Sequence, residues 1–358
     1  MWWVSYLGEG AHGLDNIGVF RDDGSVHRDH PLLLDPAADA HPLHNPRGFA
    51  LIGDDLYITS AWRLDSHVAR YRRHGNSFHF ADNLVTSTQL AALVHPFDVD
   101  VGDDGRLYIS CQDTNTVIAL RPGKGRPVAV ASHLRRTFPG GRFLAGTVVA
   151  SAHGKLPDVG STPLQDVPPP QGLEVVLDVH GRPRHSVRGI IVHRGLLYVA
   201  DEAGDTVKIF EARTGKLIAR IRGKWLHKPV HLVLAGETLY IGAAGSGSIL
   251  AYRIAAEPPS GKLKAEVIVD GRLNAPSGFA IGPDGDLYVA ERFKQRIRRF
   301  SIDRRKKGTL IMRCPTYPSS RCMCPTGSRE YLRPNRRPEA RDATLVAGST
   351  ARTRRCRH

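Results

Sequence analysis

A unit of about 40–50 residues recurs along the chain, and it constrains the fold more than any other feature. Each copy has a short apolar strand, a Gly/Asp turn, a second strand reading Leu-Tyr-aliphatic, a polar loop and a third strand. The clearest copy contains Ser277–Ile281, Gly282–Gly285 and Leu287–Glu291. Such regular, short, turn-linked strands predict an all-β protein.

The residue types of the unit indicate how its strands are packed. The Asp-Gly pairs supply the positive φ angles that a tight hairpin needs. The Leu-Tyr strands are apolar on both faces, which is typical of a strand covered by a sheet on each side. Because this repeat length is that of a propeller blade, the sequence predicts a β-propeller.

The number of blades follows from the second strands of the units. Seven segments fit this position, centred on Trp3, Tyr57, Tyr108, Val148, Tyr198, Tyr240 and Tyr288. This predicts seven blades, or six if the segment around Val148 is only an insertion.

The two ends of the chain leave the closure of the ring open. The chain begins at a second-type strand, Trp2–Ser5, so the first strand of that blade should come from the C-terminus. Thr309–Met312 fits the outer strand of the last blade. Beyond it apolar periodicity disappears, and Ala343–Ala347 is the only strand-like segment. We therefore predict a propeller over residues 1–303 and a basic, Arg/Pro/Cys-containing, disordered tail over residues 304–358.

The charge distribution bears on partners. Residues 303–358 contain 15 Lys and Arg against 4 Asp and Glu, which is +11 of the net charge of +15. The body is only mildly basic, which argues against nucleic acid as its partner. The sequence has no apolar run long enough to span a membrane, and its start lacks the features of a signal peptide, which favours the cytoplasm.

The repeats resemble those of the NHL family of β-propellers over about residues 45–303. The resemblance rests on Gly278-Phe279-Ala280-Ile281, Asp284-Gly285, Leu287-Tyr288-Val289-Ala290-Glu291 and Arg296–Phe300, with looser copies in the other units. It implies a propeller related to the gluconolactonase-type and streptogramin-lyase-type enzymes, including the six-bladed TolB-like arrangement. It equally implies relatives that bind protein or RNA, so fold analogy alone does not choose an activity.

Candidate site residues lie where the chain enters the innermost strands and leaves the second strands, because these loops share one rim. Arg47, Asp113, Arg188 and Glu202 are expected to line this rim and contact a ligand. Asp98, Asp201 and Glu291 have the oxygen ligands that Ca²⁺ or Mg²⁺ prefers, and His95 or His231 would transfer a proton.

Each of these residues also has a structural interpretation. An acid after a Leu-Tyr-Val-Ala strand commonly caps the following turn, as Asp201, Glu202 and Glu291 would, and His95 and His231 fit packed channel positions. We therefore expect a binding module for a protein or a small ligand at the channel rim. The alternative is a divalent-metal-dependent lactonase, esterase or lyase, and the sequence does not decide whether the protein is an enzyme.

Overall fold

The structure is a computed structural model of the chain. It describes residues 2–6, 16–21, 25–34, 43–62, 65–90, 92–113, 115–122, 147–151, 187–254, 263–291, 296–302, 310–313 and 343–346. Within these ranges the protein is all β, and its strands form six antiparallel sheets. No helix in the described part of the chain is long and apolar enough to cross a membrane.

The six sheets are named blades 1 to 6. Blade 1 has three strands, β1 (Trp2–Tyr6), β2 (Asn16–Phe20) and β23 (Ala343–Val346). Blade 2 has four strands, β3 (Pro46–Ile52), β4 (Asp55–Ser60), β5 (His67–His74) and β6 (Ser77–Thr86). Blade 3 has β7 (Pro96–Val101), β8 (Leu107–Cys111), β9 (Thr116–Leu120) and β10 (Thr147–Ser151).

The remaining three blades also have four strands each. Blade 4 has β11 (Val187–His193), β12 (Leu196–Asp201), β13 (Thr206–Glu211) and β14 (Leu217–Ile221). Blade 5 has β15 (Pro229–Ala235), β16 (Thr238–Ala243), β17 (Ser248–Arg253) and β18 (Ala265–Val269). Blade 6 has β19 (Pro276–Ile281), β20 (Leu287–Glu291), β21 (Arg296–Phe300) and β22 (Leu310–Arg313).

The innermost strands show that the sheets stand around a common axis. β3 contacts β7, β7 contacts β11, β11 contacts β15, and β15 contacts β19. β23 contacts both β19 and β3, which completes the circle. The predicted β-propeller is therefore confirmed at the level of the fold.

The predicted count of seven blades is wrong for the described residues, which form five four-stranded blades and one three-stranded blade. The difference lies at Val148, for which the spacing of the repeats predicts a second strand. Val148 is in β10, the outermost strand of blade 3, and pairs with Ile118 of β9. A short apolar run has the same pattern at either position, so periodicity does not distinguish them. The alternative count of six agrees with the sheets.

Closure of the ring comes from the segment that sequence analysis identified without a firm pairing. Ala343–Val346 pairs antiparallel with β1, with Trp3 opposite Val346 and Tyr6 opposite Ala343. β22 also lies beyond residue 303 and pairs with β21. The rest of the segment 304–358 lies outside the described residues, and its disorder stays a prediction.

Hydrophobic clusters lie between neighbouring blades. Leu107 and Ile109 of blade 3 pack with Val68 and Val85 of blade 2, and corresponding clusters join every later pair of blades. A further cluster joins blade 1 to blade 2. The sixth joins blade 6 to blade 1, where the rings of Trp2 and Tyr288 have centroids 3.8 Å apart. These buried interfaces explain why the Leu-Tyr strands are apolar on both faces.

The repeated Gly, Asp and Tyr residues act together. The Tyr108 hydroxyl donates to the Asp104 carboxylate at 2.9 Å, across the turn that joins β7 to β8. The same bond joins Tyr288 to Asp284 at 2.8 Å. A Cβ on Gly102 would lie 2.7 Å from the Tyr108 ring, so glycine makes room for the tyrosine. The Gly/Asp turn and the Leu-Tyr strand are therefore one packing unit.

Each described innermost strand of blades 2–6 has a β-bulge after its first residue. The residue before the strand has positive φ in four of these blades, at Asn45, His95, Lys228 and Ala275. Bulges re-aim side chains locally. The equivalent second residues of the five strands are Arg47, Phe97, Arg188, Val230 and Ser277.

Candidate functional site

One group of side chains from three blades, all polar except Phe97, meets at the rim. Each innermost strand runs antiparallel to its second strand, so the loop before the first and the loop after the second lie at one end of the blade. We call the group the rim cluster; its members are Arg47, His95, Phe97, Gln112, Asp113, Arg188 and Glu202.

Phe97 occupies the centre of the rim cluster. The guanidinium carbon of Arg47 lies 5.3 Å from the centroid of the Phe97 ring, and that of Arg188 lies 5.2 Å from it. Both distances are in the range of a cation–π contact. All three residues occupy the bulge position of their strands, so the repeat itself brings two cations to one ring.

Arg188 is fixed by further hydrogen bonds. Its Nε and Nη2 groups donate to Oε2 of Glu202, which follows β12 in the same blade. Its Nη1 group donates to Oε1 of Gln112 in blade 3. The guanidinium therefore links blades 3 and 4 and has a defined orientation.

His95 and Asp113 form a second pair within the rim cluster. Nδ1 of His95 lies 3.2 Å from Oδ1 of Asp113. A carboxylate accepts from an Nδ1–H, which leaves Nε2 of His95 as the basic nitrogen. Burial lowers the pKa of His95; Asp113 opposes this effect, whereas the charges of Arg47 and Arg188 reinforce it. The imidazole is therefore neutral near pH 7.

Asp98 lies on β7 beside the cluster but makes different contacts. Its Oδ2 accepts from the N–H of Ile190 at 3.1 Å, and its Oδ1 accepts from the N–H of Val99 at 3.0 Å. Burial raises the pKa of Asp98 to about 7. Both carboxylate oxygens thus satisfy backbone N–H groups, one of them on the inner edge of the next blade.

The other two acids predicted as metal ligands also have protein partners. Asp201 accepts from the N–H of Gly204 at 3.0 Å and pairs with Lys208 at 2.7 Å. Glu291 accepts from the N–H of Asn274 at 2.7 Å, and Arg298 lies 3.5 Å from the same oxygen. These contacts are those of turn-capping and loop-bracing residues.

The structure places the three acids on three different blades. Among the described residues, no three His, Cys, Asp or Glu side chains form a group that could hold a metal ion. The metal site predicted at Asp98, Asp201 and Glu291 therefore has no ligand group within the described geometry.

His231 is separated from His95 along the ring and lies on β15 of blade 5. It is buried, and its ring packs edge-to-face on Phe279 with centroids 5.3 Å apart. Burial lowers the pKa of His231 to about 4, and within the described structure its Nδ1 has no hydrogen-bond partner. Its setting agrees with the interpretation of a packed histidine.

The structure thus groups five of the predicted site residues, Arg47, His95, Asp113, Arg188 and Glu202. It does not join Asp98, Asp201, Glu291 or His231 to one another. Sequence reasoning missed Phe97 as a site residue, although it stands at the position equivalent to Arg47 and Arg188. Alignment of the innermost strands would have indicated it.

The architecture defines the class of the protein, which is a β-propeller. No family model and no curated protein matches the sequence. A solved protein of Lactobacillus plantarum is similar, with a TM-score of 0.54 and 17% identity, covering 87% of this chain and 82% of that chain.

Two further solved structures share the fold. A periplasmic gluconolactonase of Pseudomonas aeruginosa has a TM-score of 0.50 and 16% identity, covering 87% of this chain and 95% of that chain. A chain of a nidogen/laminin complex has a TM-score of 0.53 and 11% identity, covering 87% of this chain and 93% of that chain. At such identities the likeness is one of fold. The proteins that share the fold include both an enzyme and a member of a protein complex.

Proposed function

We propose that this β-propeller is a binding module whose ligand, a small molecule or a segment of a protein, contacts the rim cluster. The observation that carries the proposal is the placement of Arg47 and Arg188 on one Phe97 ring. These three residues come from different blades and lie far apart in sequence. Arginine and aromatic residues, phenylalanine included, are also enriched at protein interfaces.

The degree of burial supports a binding role. The side chains of His95 and Asp113 are 17% and 11% exposed, and those of Arg188 and Glu202 are 17% and 22% exposed. These polar groups are mostly enclosed but reach solvent. A ligand would find them already oriented, which reduces the entropy cost of binding.

The rim is also asymmetric, which gives a ligand a defined place. Blades 2, 3 and 4 present Arg47, Phe97 and Arg188 at the bulge position, whereas blades 5 and 6 present Val230 and Ser277. At this equivalent position of blades 2–6, charged side chains therefore occur only in blades 2 and 4.

A second candidate function is a hydrolase or lyase that uses the same rim. The observation that favours it is the His95–Asp113 pair, in which a neutral imidazole is oriented by a carboxylate, as a general base requires. The gluconolactonase of similar fold supports this candidate as an analogy of fold.

The test is a ligand screen on the full-length protein. Binding of a small-molecule library would be followed by saturation-transfer NMR for wild type, Arg47→Ala and the control Arg72→Ala. Arg72 pairs with Asp55 on the outer part of blade 2. We expect hits that bind wild type and Arg72→Ala alike and bind Arg47→Ala at least about tenfold more weakly. Hits that are indifferent to Arg47, or a library without hits, would contradict the proposal.

The enzyme candidate is examined with the same protein. Esters and lactones would be assayed for turnover by wild type and His95→Gln, with and without added Ca²⁺ or Mg²⁺. Turnover that is lost in His95→Gln supports the hydrolase, and its absence in wild type leaves the binding module.

A further inference from the structure

Arg188 and Glu202 form a partly exposed ion pair at the rim. Two donors of the Arg188 guanidinium, Nε and Nη2, face the carboxylate of Glu202. Arginine uses this edge of its guanidinium to bind a carboxylate ligand. Both side chains are partly exposed, at 17% and 22%. The carboxylate of Glu202 therefore occupies a position that another carboxylate from solvent can reach.

Arg188 does not depend on Glu202 for its position. Its Nη1 is held by Gln112, which is buried, and its guanidinium lies on the ring of Phe97. These contacts come from blade 3, whereas Glu202 belongs to blade 4. If Glu202 moved away, Arg188 would remain in place with Nε and Nη2 facing solvent.

Two buried acid–base pairs at the ends of second strands lack this exchangeable acid. Glu291 is 0% exposed in its pair with Arg298, and Asp201 is 5% exposed in its pair with Lys208. Glu291 also holds the N–H of Asn274, and Asp201 holds that of Gly204. Exchange at these pairs would leave buried groups without partners, which is costly.

The electrostatic potential at the rim favours an anion once Glu202 is displaced. Arg47 lies on the same Phe97 ring as Arg188, so a second positive charge is close by. Both arginines act on His95, whose pKa they lower. Without the Glu202 carboxylate at Arg188, the rim cluster has two guanidiniums and one carboxylate, that of Asp113.

Resting on the proposed ligand site at the rim cluster, we infer that the ligand carries a carboxylate, which binds Nε and Nη2 of Arg188 in place of Glu202. Glu202 then acts as an internal competitor that occupies the site in the free protein. Removing its charge should strengthen ligand binding, whereas removing a true ligand-binding group would weaken it.

The test uses full-length protein with ¹⁵N-labelled arginine, and it follows the Nε–Hε signal of Arg188. That signal is assigned by its loss in Arg188→Lys. The probes are acetate and benzoate, their neutral counterparts acetamide and benzamide, and inorganic phosphate. The variants are Glu202→Gln and the control Asp82→Asn. The control removes one of the two acid partners of Arg70, an arginine that is also 17% exposed.

We expect acetate and benzoate to shift the Arg188 signal and the amides to leave it unchanged. Glu202→Gln should bind benzoate about fivefold more tightly than wild type, the equivalent of an exposed ion pair that no longer competes. Asp82→Asn should bind within about twofold of wild type, because its charge change lies on the outer strands of blade 2.

Several results would overturn the inference. Unchanged or weaker benzoate binding by Glu202→Gln, or equal binding of benzamide, would show that Glu202 is not a competitor. Tighter binding of phosphate than of both carboxylates would overturn the carboxylate assignment. No shift with any probe would also overturn it. The proposed binding function fails separately, when no compound of the library is sensitive to Arg47→Ala.

Discussion

The carboxylate of Asp98 accepts a hydrogen bond from the backbone N–H of Ile190, 92 residues further along the chain, at 3.1 Å. Two neighbouring acids repeat the contact: Asp100 accepts from Val192 at 2.6 Å and Asp103 accepts from Arg194 at 2.7 Å. The inner edge of β11 has no strand partner within its sheet. Acids of blade 3 thus accept hydrogen bonds from the backbone N–H groups on the inner edge of blade 4, which has no partner strand in its own sheet.

The first prediction concerns this row of acids. Asp98→Ala should lower the free energy of unfolding by about 1–3 kcal/mol, because the buried N–H of Ile190 loses its acceptor. Asp103→Ala should cost less than about 0.5 kcal/mol, because the N–H of Arg194 is exposed and can bond water. Urea denaturation at pH 5 measures both. Equal losses in the two variants would contradict the assigned role of Asp98.

The second prediction is the pH dependence that Asp98 confers. Burial raises the pKa of Asp98 from an ordinary value of 3.8 to about 7. Between these two pH values the folded state holds a proton that the unfolded state has lost. The resulting stability is present below pH 4 and is lost as pH rises through about 7. His231, whose pKa is lowered to about 4, acts in the opposite direction.

Comparison with Asp98→Asn separates the two groups, because both proteins keep His231. The stability of wild type relative to Asp98→Asn should fall between pH 5 and pH 7, by up to about 1.4 kcal/mol per pH unit. Thermal or urea unfolding at several pH values gives this difference. A difference that is constant over the range would show that Asp98 is not held protonated by the fold.

The third prediction tests how closely the inner strands approach. A Cβ on Gly189 would lie 2.8 Å from the carbonyl oxygen of Val230 and 2.9 Å from Cα of His231, both backbone atoms. Gly189→Ala should therefore destabilise the protein by about 3 kcal/mol or more. Gly53→Ala is the control: its φ of +60° adds strain of about 1–2 kcal/mol, but no atom lies within 4 Å. A tolerated Gly189→Ala would argue against contact between blades 4 and 5 at this point.

The fourth prediction tests closure of the ring at blade 1. Trp2 is 4% exposed and packs on Tyr288 of blade 6, so Trp2→Ala should cost about 3–5 kcal/mol. Trp62, which is 43% exposed, provides the control, and Trp62→Ala should change stability by less than about 0.5 kcal/mol. Similar urea midpoints for the two variants would mean that the first strand does not join the ring.

The sequence predicted the propeller because each repeat carries its own packing chemistry, as Gly102, Asp104 and Tyr108 show. It did not fix the blade count, because Val148 has the apolar pattern of either an outer or a second strand. Closure could not be read from the sequence either, since β23 is a short strand in a segment of different composition.

For the candidate site, sequence reasoning identified rim positions but not which of them meet. Arg47 and Arg188 were found because the rim is a fixed place in every repeat. Asp98 lies one residue after the equivalent position, and its carboxylate accepts from the N–H of Ile190, a contact between residues distant in the sequence. Phe97 was missed because an aromatic residue in an apolar strand looks like part of the core.

The central claim is that the guanidiniums of Arg47 and Arg188 both lie over the ring of Phe97. The most direct measurement is the chemical shift of their Nε–Hε signals in wild type and Phe97→Leu, with Arg70 as an internal reference. Loss of the ring current should shift the signals of Arg47 and Arg188 and leave that of Arg70 in place. Unchanged signals for both rim arginines would contradict the claim and the ligand site built on it.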